Sequence, residues 1–104
     1  MVKDHQASRI LPVVDRFVSL EKAKFPIQQA WLFGSWAYGT PKPESDIDLC
    51  LVLESATLQD ELELMHDAAS VDSRVEPHVF SRAQFERGQL FVLHDIKTKG
   101  IRIL

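Results

Sequence analysis

Apolar and polar positions recur along this chain with two different periods, and the changes of period mark its elements. From Ser8 to about Lys24, the side chains Ile10, Val13, Val14, Phe17 and Leu20 fall on one stripe of a helix. Asp15, Arg16, Ser19 and Lys22 lie opposite. Pro12 is tolerated only in a first turn or as a kink, which puts the start near Leu11, and Phe25-Pro26 ends the helix. Gln28 to Phe33 then reads as a short buried strand, with Ala30, Trp31, Leu32 and Phe33 in a row. Gly34 permits a tight turn, Ser35 to Tyr38 a helical turn, and Gly39 its end. Thr40 to Glu44, with two prolines, is expected as a stiffened loop. From Asp46 to Leu53 the period becomes two. Ile47, Leu49, Leu51 and Leu53 share one face of a strand, and Asp46, Asp48, Cys50 and Val52 share the other.

The second half repeats the alternation of helix and strand. Thr57-x-x-Asp60 resembles a capping box and opens a helix running to about Ser70. Its buried stripe is expected to be Leu58, Leu62, Met65 and Ala69, leaving Glu61, Glu63, Asp67 and His66 on a solvated face. Val75 to Phe80 reads as an edge strand, since Pro77 cannot donate to a neighbour. Ser81-x-x-Gln84 is a second capping box, followed by a short turn with Phe85. Leu90, Phe91, Leu93 and Ile96 give a last helix its apolar side, with Lys97 and Lys99 at its C-terminus and Gly100 expected in the left-handed conformation beyond. Ile101 to Leu104 closes the chain as a short edge strand, while residues 1–7 are expected to fray.

Composition narrows the class. At 104 residues the chain, 1–104, is expected to be one domain with one core. Apolar residues are 45% and charged residues 26%, a balance that opposes disorder. No apolar run approaches the roughly 20 residues of a membrane span, and the N-terminus lacks a signal-peptide pattern. Cys50 is the one cysteine, which removes disulfide and zinc readings and suggests an inert buried thiol in a reducing cytoplasm. A net charge of −3 argues against direct binding to duplex nucleic acid.

The candidate chemistry lies in two nearby stretches. Free amides at a helix start, with the Ser35 hydroxyl and no Cβ at Gly34, suit a phosphate, although an ordinary serine-capped turn has the same sequence. Asp46 and Asp48 stand side by side on one strand face, where two carboxylates repel unless a cation joins them, and hard oxygen ligands suit Mg²⁺. A pair of solvated acids is the alternative. Glu76, the one acid of the later strand, completes the set if the two strands are neighbours. Three carboxylates around two ions about 3.5–4 Å apart would clamp both oxygens of a nucleotidyl transfer, and Glu76 would also serve as base. Lys42 and Ser45 flank the phosphate turn as further contacts, each with a plainer role in solvent or in a local turn. His78 shares the Glu76 face, where it either meets substrate or, the expected role, fills space at the rim.

Gly34-Ser35, ten residues, then Asp46-x-Asp48 resembles the signature of the DNA polymerase β-like nucleotidyltransferase superfamily. The likeness extends to the leading helix, the Leu-Phe-Gly-Ser and Ser-Asp-Ile-Asp-Leu strands, Glu76 and the closing Gly-Ile-x-Ile, and is greatest toward the minimal nucleotidyltransferases of bacteria and archaea. The resemblance implies an α/β (α+β) nucleotidyltransferase fold, a small mixed sheet of about four to five strands packed with helices. It further implies transfer of AMP from ATP, or of another nucleotide, to an acceptor hydroxyl. On this reading Mg²⁺ would be held by Asp46, Asp48 and Glu76 and the nucleotide phosphates by Gly34 and Ser35, with Ser45 and Lys42 as the further candidate contacts read from the loop itself. In that family the partner is typically a helical HEPN protein, a toxin that the nucleotidyltransferase modifies as antitoxin. Two other readings remain: a weakly catalytic module that neutralises such a partner by contact, and an antibiotic adenylyltransferase, which lacks a drug-binding domain here. The chain departs from the family pattern at Tyr38, often arginine, and at Glu76, often aspartate.

Overall fold

The structure, a computed structural model, describes residues 6–88 and 90–104. Within them, local rules account for most boundaries. Helix α1 spans Leu11–Lys22, and Pro12 sits in the first turn, where its missing N–H leaves no acceptor unpaired. Strand β1 is Ile27–Phe33, and Gly34 leads into the short helix α2, Ser35–Tyr38. Strand β2 is Ile47–Leu53. Helix α3, Leu58–Val71, starts with a complete capping box: Thr57 Oγ1 accepts from the Asp60 amide, and the Thr57 amide donates to the Asp60 carboxylate. Strand β3, Val75–Ser81, runs into helix α4, Arg82–Arg87, through the reciprocal Ser81 and Gln84 bonds of a second box. Helix α5, Phe91–Lys99, and the two-residue strand β4, Ile101–Arg102, complete the order.

The four strands form one mixed sheet in the order β3-β2-β1-β4. β1 runs antiparallel to β2 and β4, while β2 and β3 are parallel. Parallel pairing needs a crossover, and α3 supplies it. β3 and β4 occupy the two edges, as Pro77 and the alternation around Arg102 suggest. β2 lies between neighbours and is buried on both faces except at Asp48, which is part-exposed. Its Ile47, Leu49, Leu51 and Leu53 enter a core with Val14, Phe17, Leu32, Trp36, Leu64 and Ala68. Cys50 and Val52 enter the other, with Phe33, Phe85, Leu93 and Ile96.

Several expectations change. The fraying predicted for residues 1–7 lies outside the described residues at 1–5, whereas Ala7 is packed in the core. Leu20 is 43% exposed, and Val18 and Glu21 turn inward instead. α3 is rotated from its expected orientation: Leu58, Leu62 and Met65 are 70%, 57% and 56% exposed, Ala69 is exposed, and Leu64, Asp67 and Ala68 are buried. Ala68 is packed in the core, and Asp67 is satisfied by Lys24, in the turn just after α1, whose Nζ lies 2.8 Å from Oδ2. Gly100 is not left-handed, with φ of −68°. It is small because a Cβ would meet the Ile96 and Leu32 carbonyl oxygens. The left-handed residue is Gly88, φ 59°, after α4.

One buried acid was not anticipated. Glu21 is fully buried, and neither of its carboxylate oxygens has a donor partner. Burial and the adjoining Asp67 carboxylate push it up to about 7. Asp67 is held below its ordinary value, mainly by the Lys24 hydrogen bond. A protonated Glu21 donating to an ionised Asp67 is the arrangement in which both groups are satisfied.

Candidate active site

Strand register brings the two chemical stretches together. Phe33 on β1, Asp48 on β2 and Glu76 on β3 are direct partners across the sheet. The next row that shares their face is Trp31, Cys50 and His78. Because side chains alternate, Asp48, Glu76 and His78 all project from one face near the strand starts. Parallel pairing of Asp48 with Glu76 thus sets the two carboxylates side by side.

Gly34 borders them directly. Its backbone takes φ 74° and ψ −156°, a region essentially restricted to glycine. A Cβ built there would collide with the Asp48 carboxylate. Past it, helical geometry leaves the Ser35 and Trp36 amides without acceptors inside α2. A divalent cation at Asp48 and a phosphate at the α2 amides would therefore be immediate neighbours.

Three donor atoms, one each from Asp48, Glu76 and His78, lie within 4.8 Å of one another. His78 Nε2 is 3.3 Å from Asp48 Oδ1 and 3.9 Å from Glu76 Oε1. Asp46, exposed just before β2, stands outside this group and joins it through a hydrogen bond with Glu76. That shared bond, then burial and the charges of Asp48 and Asp46, raise Glu76 above the usual carboxylate range, against the pull of His78. His78 is raised in turn, first by its bond to Asp48 and further by the charges of Asp48, Glu76 and Asp46, with burial opposing. The mutual shifts describe negative charge gathered without enough countercharge, and a donor set of two carboxylates and an imidazole fits a divalent cation.

The loop beside the site is pinned from three sides. Trp36 Nε1 donates to the Ser45 carbonyl, Arg74 Nη1 donates to the Pro43 carbonyl, and the Lys42 amide donates to Ser45 Oγ at 2.8 Å. The Ser45 hydroxyl is thus engaged in the local turn, and Lys42 is exposed on the loop. At Tyr38, on α2, the Lys99 ammonium lies 5.8 Å from the ring centroid. His78 is the group that sequence reasoning undervalued. Its two-residue offset from Glu76 was the available signal, since it fixes a common face. A cavity of about 210 Å³, lined by Phe80, Gln84, Arg87, Leu90 and Leu93, opens farther along β3 and does not include the carboxylates.

Comparison with known proteins agrees with this geometry. The profile of the family described as nucleotidyltransferase domain matches residues 14–103. No curated protein matches the chain. Among solved structures, a Sulfolobus solfataricus protein assigned as a nucleotidyltransferase superposes with a TM-score of 0.61 at 21% identity, over 84% of this chain and 80% of that one. A toxin–antitoxin structure with AMP-PNP also gives 0.61, at 24% identity, over 88% of this chain and 69% of that one. A MntA–HpeT toxin–antitoxin mutant gives 0.53, at 19% identity, over 92% and 70%. At these identities the likeness is one of fold.

Proposed function

The chain belongs to the nucleotidyltransferase domain family, and from that premise we propose that it transfers AMP from ATP to an acceptor hydroxyl on a helical, HEPN-like partner protein in the cytoplasm. The observation that carries this reading is the pairing of Asp48 with Glu76 directly beside Gly34. Gly34 and the Ser35 amide and hydroxyl cradle the β- and γ-phosphates, with Lys42 and Ser45 on the loop above. Asp46, Asp48 and Glu76 are the residues that would hold Mg²⁺. When bound, that cation neutralises triphosphate charge and favours the in-line geometry of phosphoryl transfer. Glu76 accepts the proton of the acceptor hydroxyl. The acceptor oxygen bonds to the α-phosphorus as the bond to the bridging oxygen breaks, and pyrophosphate leaves.

Two features support a protein acceptor. Structures of toxin–antitoxin pairs share the fold, one of them with AMP-PNP. The chain also presents Leu58, Leu62 and Met65 in a row on the outer face of α3, a heptad-like seam suited to a partner helix. That seam equally serves the second reading, a module that neutralises the partner by contact with little catalysis. Incubation with labelled ATP, Mg²⁺ and the product of the adjacent reading frame separates the two. Label on the partner that disappears with Asp46→Asn plus Asp48→Asn supports transfer. Unlabelled partner that remains inhibited by the double variant supports contact alone.

A further inference from the structure

Of the groups clustered at the site, His78 is the one for which the chemistry above has no use. We propose that His78 is a further protein ligand of the divalent cation, beside Asp48 and Glu76. An imidazole nitrogen added to the carboxylate oxygens makes a site that takes a divalent transition cation in preference to Mg²⁺, and Mn²⁺ is the paramagnetic probe of it. The inference rests on the nucleotidyltransferase reading for the cation's role and adds the identity of a ligand and the class of metal.

Geometry is the first argument. With bonds of about 2.1 Å, neighbouring corners of an octahedral shell stand about 3 Å apart. His78 Nε2 lies 3.3 Å from one Asp48 oxygen and 3.9 Å from one Glu76 oxygen, so small side-chain movements bring all three onto one ion. The ring is also held in place. Its backbone is registered against Cys50 on β2, and the Phe33 ring meets it edge-on with centroids 5.1 Å apart. Against Asp48, 3.3 Å is long for an N–H···O bond, whose usual length is about 2.9–3.0 Å. Exchanging that contact for a metal bond loses little.

Ligand chemistry is the second argument. Mg²⁺ takes oxygen ligands and keeps much of its water, whereas imidazole nitrogen suits later and softer divalent ions. A site with carboxylates alone would have no strong reason to prefer a later transition ion. Adding one imidazole to two carboxylates supplies that reason, because the nitrogen strengthens binding of a transition ion more than it strengthens binding of Mg²⁺.

The test is a spectroscopic one on the full-length chain. Mn²⁺ is bound with ATP, and electron spin echo modulation is recorded for protein of natural abundance and for protein grown with ¹⁵N-histidine, which separates protein nitrogen from adenine nitrogen. The proposal predicts a directly bound nitrogen whose coupling changes with the histidine label. It also predicts that His78→Val, checked for folding by circular dichroism, loses the signal and about tenfold in Mn²⁺ affinity, while Mg²⁺ affinity changes less than about twofold. Mn²⁺ that binds with nucleotide and requires Asp48, yet shows no histidine nitrogen, overturns the proposal and leaves the nucleotidyltransferase reading intact. Failure of any divalent ion to bind with nucleotide overturns both.

Discussion

Replacing Glu21 with glutamine tests the buried charge cluster between α1 and α3. Glu21 is fully buried, and burial with the Asp67 carboxylate beside it moves it from an ordinary 4.5 up to about 7. A raised value in the folded state means that the native protein holds this proton where the unfolded chain has released it. The contribution is complete below pH 4.5 and is lost as pH rises through about 7. At about 1.4 kcal/mol per tenfold change, that interval corresponds to about 3 kcal/mol. The groups facing Glu21 do not reverse the sign. Asp67 is held below its ordinary 3.8 and so stays ionised across this window, and Lys24 stays charged. Glutamine keeps the shape, cannot ionise and can donate to Asp67. Urea unfolding followed by Trp31 and Trp36 fluorescence is then compared for wild type and Glu21→Gln at pH 4 and pH 8. The two proteins should agree within about 0.5 kcal/mol at pH 4, and the variant should be more stable by about 2–3 kcal/mol at pH 8. A difference that does not change with pH would refute the reasoning.

Three further outcomes follow from single residues. Gly34→Ala should lose about 2 kcal/mol of stability in urea unfolding, because alanine is strained at φ 74° and its Cβ meets the Asp48 carboxylate; nucleotide binding should fall with it, and a variant as stable as wild type would contradict the geometry. Burial pushes the Cys50 thiol up to about 12, so labelling by a thiol reagent at pH 8 should be at least about 1,000-fold slower in the native protein than in urea, and rapid native labelling would place Cys50 at the surface. Thr57→Ala should cost about 1 kcal/mol in thermal unfolding by removing the acceptor for the Asp60 amide, and no change would mean that the cap is not formed in solution.

The sequence was most legible where a rule is local. The prolines, both capping boxes, the strand alternation around Asp48 and the two edge strands needed only neighbouring residues to be read. α3 was not legible in this way. It carries two candidate stripes, and the more apolar one, through Leu58, Leu62 and Met65, is the outer one. The inner stripe contains Asp67, and its burial makes sense only once Lys24 arrives from the turn after α1. Glu21 is hidden for the same reason, since its burial depends on a helix distant in sequence. Pairing of β2 with β3 was supposed rather than read, and the register of Asp48 with Glu76 is a property of the folded sheet. His78 shows the limit most clearly. Its common face with Glu76 followed from spacing, but its distance to Asp48 did not.

Isothermal titration of a non-reactive ATP analogue, with a methylene between the α- and β-phosphorus, addresses the central claim most directly: that Asp48 and Glu76 act beside Gly34 as one cation-dependent nucleotide site. Binding should require a divalent cation, and Asp48→Asn should weaken it by at least about 100-fold, removing one partner of a charge-assisted contact. Equal binding with and without the cation, or an Asp48→Asn variant that binds like wild type, would contradict the account.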